Sequence, residues 1–186
     1  MRWAELFITG VVIGFVGHYH SAEPNLIREV YYDISPNSWD TLTEALLENG
    51  PVDRRGVRRF ALTTWKMRWN WKHDSEGSPL YSTAIVTPEI TIVLPRWNSI
   101  EQQPQESQER WSQTLSTMRA HELTHARTAL EGASSLEKNL RLARTTSDVE
   151  EMIQEMKSRV ERADIAFDQK TDHDREALNA SIAAKR

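Results

Sequence analysis

Between residues 59 and 72 the chain alternates strictly. Trp65, Met67, Trp69 and Trp71 take every second position, and Lys66, Arg68, Asn70 and Lys72 fill the places between them. A period of two sends the four apolar side chains to one face of a strand and the polar ones to the other. Residues 29–34 read the same way, with Val30, Tyr32 and Ile34 on one face. Residues 81–86 and 90–94 read as further strand, interrupted at Thr87-Pro88, with Pro95 stopping the last one. Residues 74–79 are a turn-rich link. Between the first two strands, Trp39, Leu42, Ala45 and Leu46 recur at helical spacing. Ser35-Pro36 offers that helix a start and Gly50-Pro51 an end.

The period then lengthens. Residues 99–108 are polar and contain Pro104, which reads as a loop. From residue 109 to 130 the pattern is helical, with Trp111, Leu115, Met118 and Leu130 as its apolar positions, and Gly132 suits a helix end. Residues 135–144 form a short helix in this reading. Ser147 or Asp148 then caps a long one, whose stripe is Val149, Met152, Met156, Val160, Ala163 and Phe167. Strands first and helices second predict an α+β fold: an amino-terminal, mainly antiparallel sheet with one helix, and a carboxy-terminal helical half.

Composition narrows the function classes. At 186 residues the chain is long enough for one domain with a real core. Its 39% hydrophobic and 27% charged residues argue against global disorder. A net charge of −4 supplies no basic footprint for nucleic acid. The absence of cysteine excludes disulfides, thiolate zinc sites and cysteine nucleophiles. Near the amino terminus, Arg2 precedes an apolar run over residues 6–16, followed by His18-Tyr19-His20-Ser21-Ala22. That order resembles a signal peptide over residues 1–22 or an uncleaved anchor, and the run is short for a membrane span. Residues 23–186 are then a single domain, placed in the periplasm or outside the cell.

The chemistry lies in the second half. Residues His121-Glu122-Leu123-Thr124-His125 spell His-Glu-x-x-His inside a helical stretch. A spacing of four stacks the two imidazoles on one helix face, where both can ligate one tetrahedral zinc. Glu122 is then placed as general base for a water beside the metal. Short patterns of this kind also arise by chance on surface helices, so a third ligand matters. The metzincin extension is absent, because Thr128 stands where glycine is needed and Glu131 where the third histidine would be. His173, Glu131, Glu150 and Glu151 are the downstream candidates, and Asp168 or Thr171 could orient a ligating histidine from behind.

Ordered landmarks extend the match. They are Tyr31-Tyr32-Asp33-Ile34, Gly50-Pro51, Arg68-Trp69-Asn70-Trp71, Leu94-Pro95-Arg96-Trp97, Trp111, His121-Glu122-x-x-His125, and Asp168-x-x-Thr171-x-His173. In this set the chain resembles the bacterial domain-of-unknown-function family 922, described as predicted secreted zinc-dependent proteases, over about residues 30–175. The resemblance implies export, a zinc site, peptidase activity and His173 as third ligand. Phe167 stands where the family has tyrosine and Asp174 where it has glycine.

Together these readings predict a zinc (Zn2+) peptidase. His121, His125 and His173 hold the metal, Glu122 is the base, and a protein or peptide substrate lies along residues 90–94 as an added strand. The competing reading is a zinc-stabilised cell-envelope binding module that hydrolyses nothing. The Trp65-Trp69-Trp71 face is expected to pack into the core, the sharper alternative being an aromatic platform for a ligand. Arg54, Arg55, Arg58 and Arg59 are expected to form a solvated surface cluster.

Overall fold

The computed structural model describes the backbone of residues 6–8, 10–12 and 26–183, and the side chains of residues 26–171. The expected export segment therefore lies largely outside the described residues. Of it, only β1 (Leu6–Ile8) and β2 (Gly10–Val12) are described, paired antiparallel with Leu6 opposite Val12. Three further strands follow: β3 (Ile27–Ile34), β4 (Leu62–His73) and β5 (Pro79–Trp97). The helices are α1 (Leu42–Asn49), α2 (Gln105–Leu140) and α3 (Thr146–Ala183). The α+β expectation holds. Among the described residues, no helix is long and apolar enough to cross a membrane.

The three strands form one sheet in the order β3-β5-β4. It is mixed rather than mainly antiparallel, because β3 runs parallel to β5, with Ile27 opposite Ile90 and Ile34 opposite Trp97. Residues 81–86 and 90–94 belong to one unbroken strand, contrary to the break expected at Thr87-Pro88 and the stop at Pro95. The reason is local. Pro88 precedes the point where β3 begins to pair, at Ile90. Pro95 lies toward the far end of a strand much longer than β4, which a tight turn joins to it. Each proline is thus bordered by a partner on one side only, where a missing N–H is tolerated. The same order makes residues 90–94 part of the central strand, so no peptide can add to them. The edges of this sheet are β3 and β4.

The chain divides into two compact units, Met1–Asn70 with Ile85–Leu130, and Trp71–Ala84 with Glu131–Arg186. In the first unit, Ile34, Leu42, Leu46, Trp97 and Trp111 form a buried cluster. Trp97 and Trp111 meet edge to face, with ring centroids 5.8 Å apart. The alternation of β4 is visible in its burial: Trp65 and Met67 are buried and Lys66 and Asn70 exposed. Trp65 is thereby a core residue, whereas Trp69 is half-buried.

The start of α1 differs from expectation. A 3-10 turn, Trp39–Thr41, leads into it, and Ser38 rather than Ser35 is the cap, its N–H donating to the Thr41 hydroxyl at 3.3 Å. Gly50 ends α1 as expected, but the need for glycine is one of space. A Cβ there would lie 2.1 Å from the Arg59 carbonyl oxygen and 2.6 Å from that of Leu46.

The loop after Gly50 is built on Asp53. Its Oδ1 accepts the N–H groups of Arg55 and Val57, both at 2.9 Å, and its Oδ2 accepts from Arg59 Nε at 2.8 Å. Arg58 donates to the Gly50 carbonyl at 2.7 Å. Two of the four clustered arginines therefore hold this loop together. Burial raises the Asp53 pKa, but the bonds from Val57, Arg59 and Arg55 outweigh it and hold the carboxyl below its ordinary value. A depressed carboxyl contributes stability at pH values above about 4, which is lost as pH falls through its folded pKa. Asp53→Ala is therefore expected to lower the melting temperature at pH 7 and to flatten its decline below pH 4. Parallel melting curves of variant and wild type across that range would contradict the assignment.

In the second unit, Asp74 closes the β4–β5 hairpin by accepting the N–H groups of Glu76 and Ser78, and Gly77 takes the left-handed φ of +85° that the turn requires. Trp71 packs edge to face on Tyr81, at 4.9 Å between centroids. α2 runs unbroken through Gly132, which is buried, so the two helices expected over residues 109–144 are one. Ala133, Leu136 and Leu140 continue its buried line, and their burial outweighs the roughly 1 kcal/mol cost of a helical glycine. α3 is capped by Thr145, not Ser147. The Thr145 hydroxyl accepts the Asp148 N–H at 3.1 Å, while Asp148 Oδ2 accepts the N–H groups of Arg144 and Thr145. Val149, Ile153, Met156 and Val160 are the buried line of α3, but the expected Ala163 is exposed. The half-buried positions that follow are Asp164, Phe167, Asp168 and Thr171.

Candidate metal centre

The His-Glu-x-x-His segment lies within α2 in the first unit. The apolar stripe that anchors this helix runs through Trp111, Leu115 and Met118, and reaches Ala126 and Ala129. At 3.6 residues per turn the position between Met118 and Ala126 on that stripe is Glu122. Glu122 is 6% exposed, and it is the buried charged residue among the described ones. A carboxyl on a packing stripe is costly unless it is hydrogen-bonded.

Its partner comes from β4. The Thr63 hydroxyl donates to Glu122 Oε2 at 2.7 Å, and the same oxygen lies 3.0 Å from the Glu122 carbonyl oxygen. One hydroxyl hydrogen serves both acceptors, and the shorter contact goes to the carboxyl. Sequence reasoning had not singled out Thr63. The available signal was a polar residue in phase with Trp65 and Met67 on the buried face of β4.

His121 and His125 sit half-buried on the adjoining face of α2. Their Nε2 atoms are 3.1 Å apart, with ring centroids separated by 4.9 Å and planes inclined at 69°. Two nitrogens bound about 2.0–2.1 Å from one tetrahedral zinc stand roughly 3.3 Å apart. The two rings thus already converge on a common point through the nitrogens that would ligate, and the donor set fits the ion. At this separation only one of the two Nε2 atoms can carry a hydrogen toward the other.

The remaining candidates lie in the second unit. Glu131, Glu150 and Glu151 are all exposed on their helices. Asp168 is half-buried on α3. His173 is within the same helix, which stays regular through Ala183, but its side chain lies outside the described residues. The Thr171 hydroxyl bonds back to the carbonyls of Phe167 and Asp168 within α3.

A family model described as "Bacterial protein of unknown function (DUF922)" matches residues 29–174. No curated protein matches the chain, and no solved structure matches it.

Proposed function

The chain belongs to this bacterial family of unknown function, and from that premise we propose that it is a zinc-dependent peptidase of the cell envelope. The observation that carries the reading is the convergence of His121 and His125 through their Nε2 atoms, on the same helix as the buried Glu122. We propose His173, which the family resemblance implies, as the third donor, since zinc accepts neutral imidazole nitrogens as ligands.

Zinc held there would supply the Lewis acidity for attack on an amide carbonyl. The protein's own part falls to Glu122. Its carboxylate takes a proton from water as the oxygen adds to the carbonyl carbon, and returns it to the amine nitrogen as the C–N bond breaks. Thr63 fixes one of its oxygens meanwhile. An extended peptide has an edge of the sheet to pair with in β4, the strand that carries Thr63.

The test uses the purified chain with its bound metal. About one zinc per chain is expected, together with cleavage of fluorescence-quenched peptides that stops on chelation and returns with zinc. Stoichiometric zinc without cleavage of any peptide would leave the non-catalytic zinc module as the better reading. Absence of zinc would overturn both.

A further inference from the structure

Glu122 is placed on the packing stripe of α2, and a different side-chain rotamer would turn its carboxyl away from the histidine pair on the same helix. What opposes this within the first unit is Thr63, whose hydroxyl reaches both the carboxyl and the main-chain carbonyl of the same residue. A side chain that bonds only the carboxyl would orient one rotamer. Contact with the carbonyl as well ties that rotamer to the position of the helix backbone. Thr63 is well suited to this, being β-branched and therefore stiff at χ1. It also stands on a strand whose neighbours Trp65 and Met67 are buried, so its own backbone is held.

We infer that Thr63 is the positioning residue of the proposed reaction: it sets the direction of the Glu122 carboxyl, without itself touching substrate or metal. The inference rests on the peptidase reading. Zinc ligation does not run through Thr63, because the two Nε2 atoms converge on each other and Thr63 bonds to Glu122. Turnover does, because a general base must be within hydrogen-bond reach of the proton it takes.

The experiment compares Thr63→Val, which keeps the shape and removes the hydroxyl, with Thr63→Ser, which keeps the hydroxyl. Zinc content, melting temperature, kcat and KM on a quenched peptide cleaved by the wild type, and the side-chain carboxyl 13C resonance of Glu122 are measured for each. In Thr63→Val, kcat should fall by about 10- to 100-fold, the usual loss for a group that orients another, with KM and zinc content nearly unchanged. The Glu122 resonance should move in the zinc-free and zinc-loaded protein alike. Thr63→Ser should restore both kcat and the resonance.

Three results would overturn the inference: an unmoved resonance in Thr63→Val, an unchanged kcat, or equal losses of kcat in the valine and serine variants. The last would mark Thr63 as a packing residue. Failure of the peptidase reading looks different. The wild type would then cleave nothing, while the resonance would still report whether Thr63 orients the carboxyl.

Discussion

Glu122→Gln is expected to retain its zinc and lose between about 100- and 10,000-fold in kcat, the range ascribed to a positioned general acid–base. The amide is nearly isosteric with the carboxyl, and its oxygen can still accept the Thr63 hydrogen bond now made to Oε2. The packing between Met118 and Ala126 on α2 should thus survive, and the melting temperature with it. What the amide cannot do is accept a proton from water and return it to the leaving nitrogen. KM should change little, because Glu122 is proposed to act on the proton rather than on substrate binding. Peptide cleavage at the wild-type rate in a folded, zinc-loaded variant would dismiss Glu122 as the base. A variant that fails to fold would instead make Glu122 a packing residue, a role its 6% exposure would then explain.

The second large effect concerns the metal. His125→Ala removes one of two nitrogens that converge to 3.1 Å, and zinc affinity should fall by more than the 10- to 100-fold typical of outer-shell changes. His173→Ala is expected to weaken zinc to a similar degree, and Asp168→Ala, at a residue read as orienting a ligating histidine from behind, less. Competition titrations with a chromophoric chelator read all three variants on one scale. Zinc kept in Asp168→Ala and lost in His173→Ala would give the third place to His173, as the family resemblance implies. Zinc kept in His125→Ala would end the reading of the pair as ligands.

Much of this protein was legible along the chain, for reasons of periodicity. A period of two exposed β4 through Trp65 and Met67, and a period near 3.6 exposed the helical half. The His-Glu-x-x-His spacing by itself puts two imidazoles on one face of α2, because helix geometry relates positions i and i+4 without help from the rest of the fold. Family membership followed from ordered short motifs, and Trp97 and Trp111 among them proved to be buried core residues.

Other features depended on neighbours that sequence distance conceals. Pro88 and Pro95 read as breaks, and each is tolerated because the adjoining strand begins late or ends early. Gly132 read as a helix end, and tertiary burial of Ala133, Leu136 and Leu140 carries α2 through it. The placement of residues 90–94 in the centre of the sheet follows from the parallel pairing with β3, and it transfers the free edge to β4. The bond from Thr63 to Glu122 joins residues 59 positions apart. Local patterns determine which face a side chain occupies. Which strand or helix that face meets is settled by burial and backbone pairing over the whole chain, and here that decides what holds the proposed base in place.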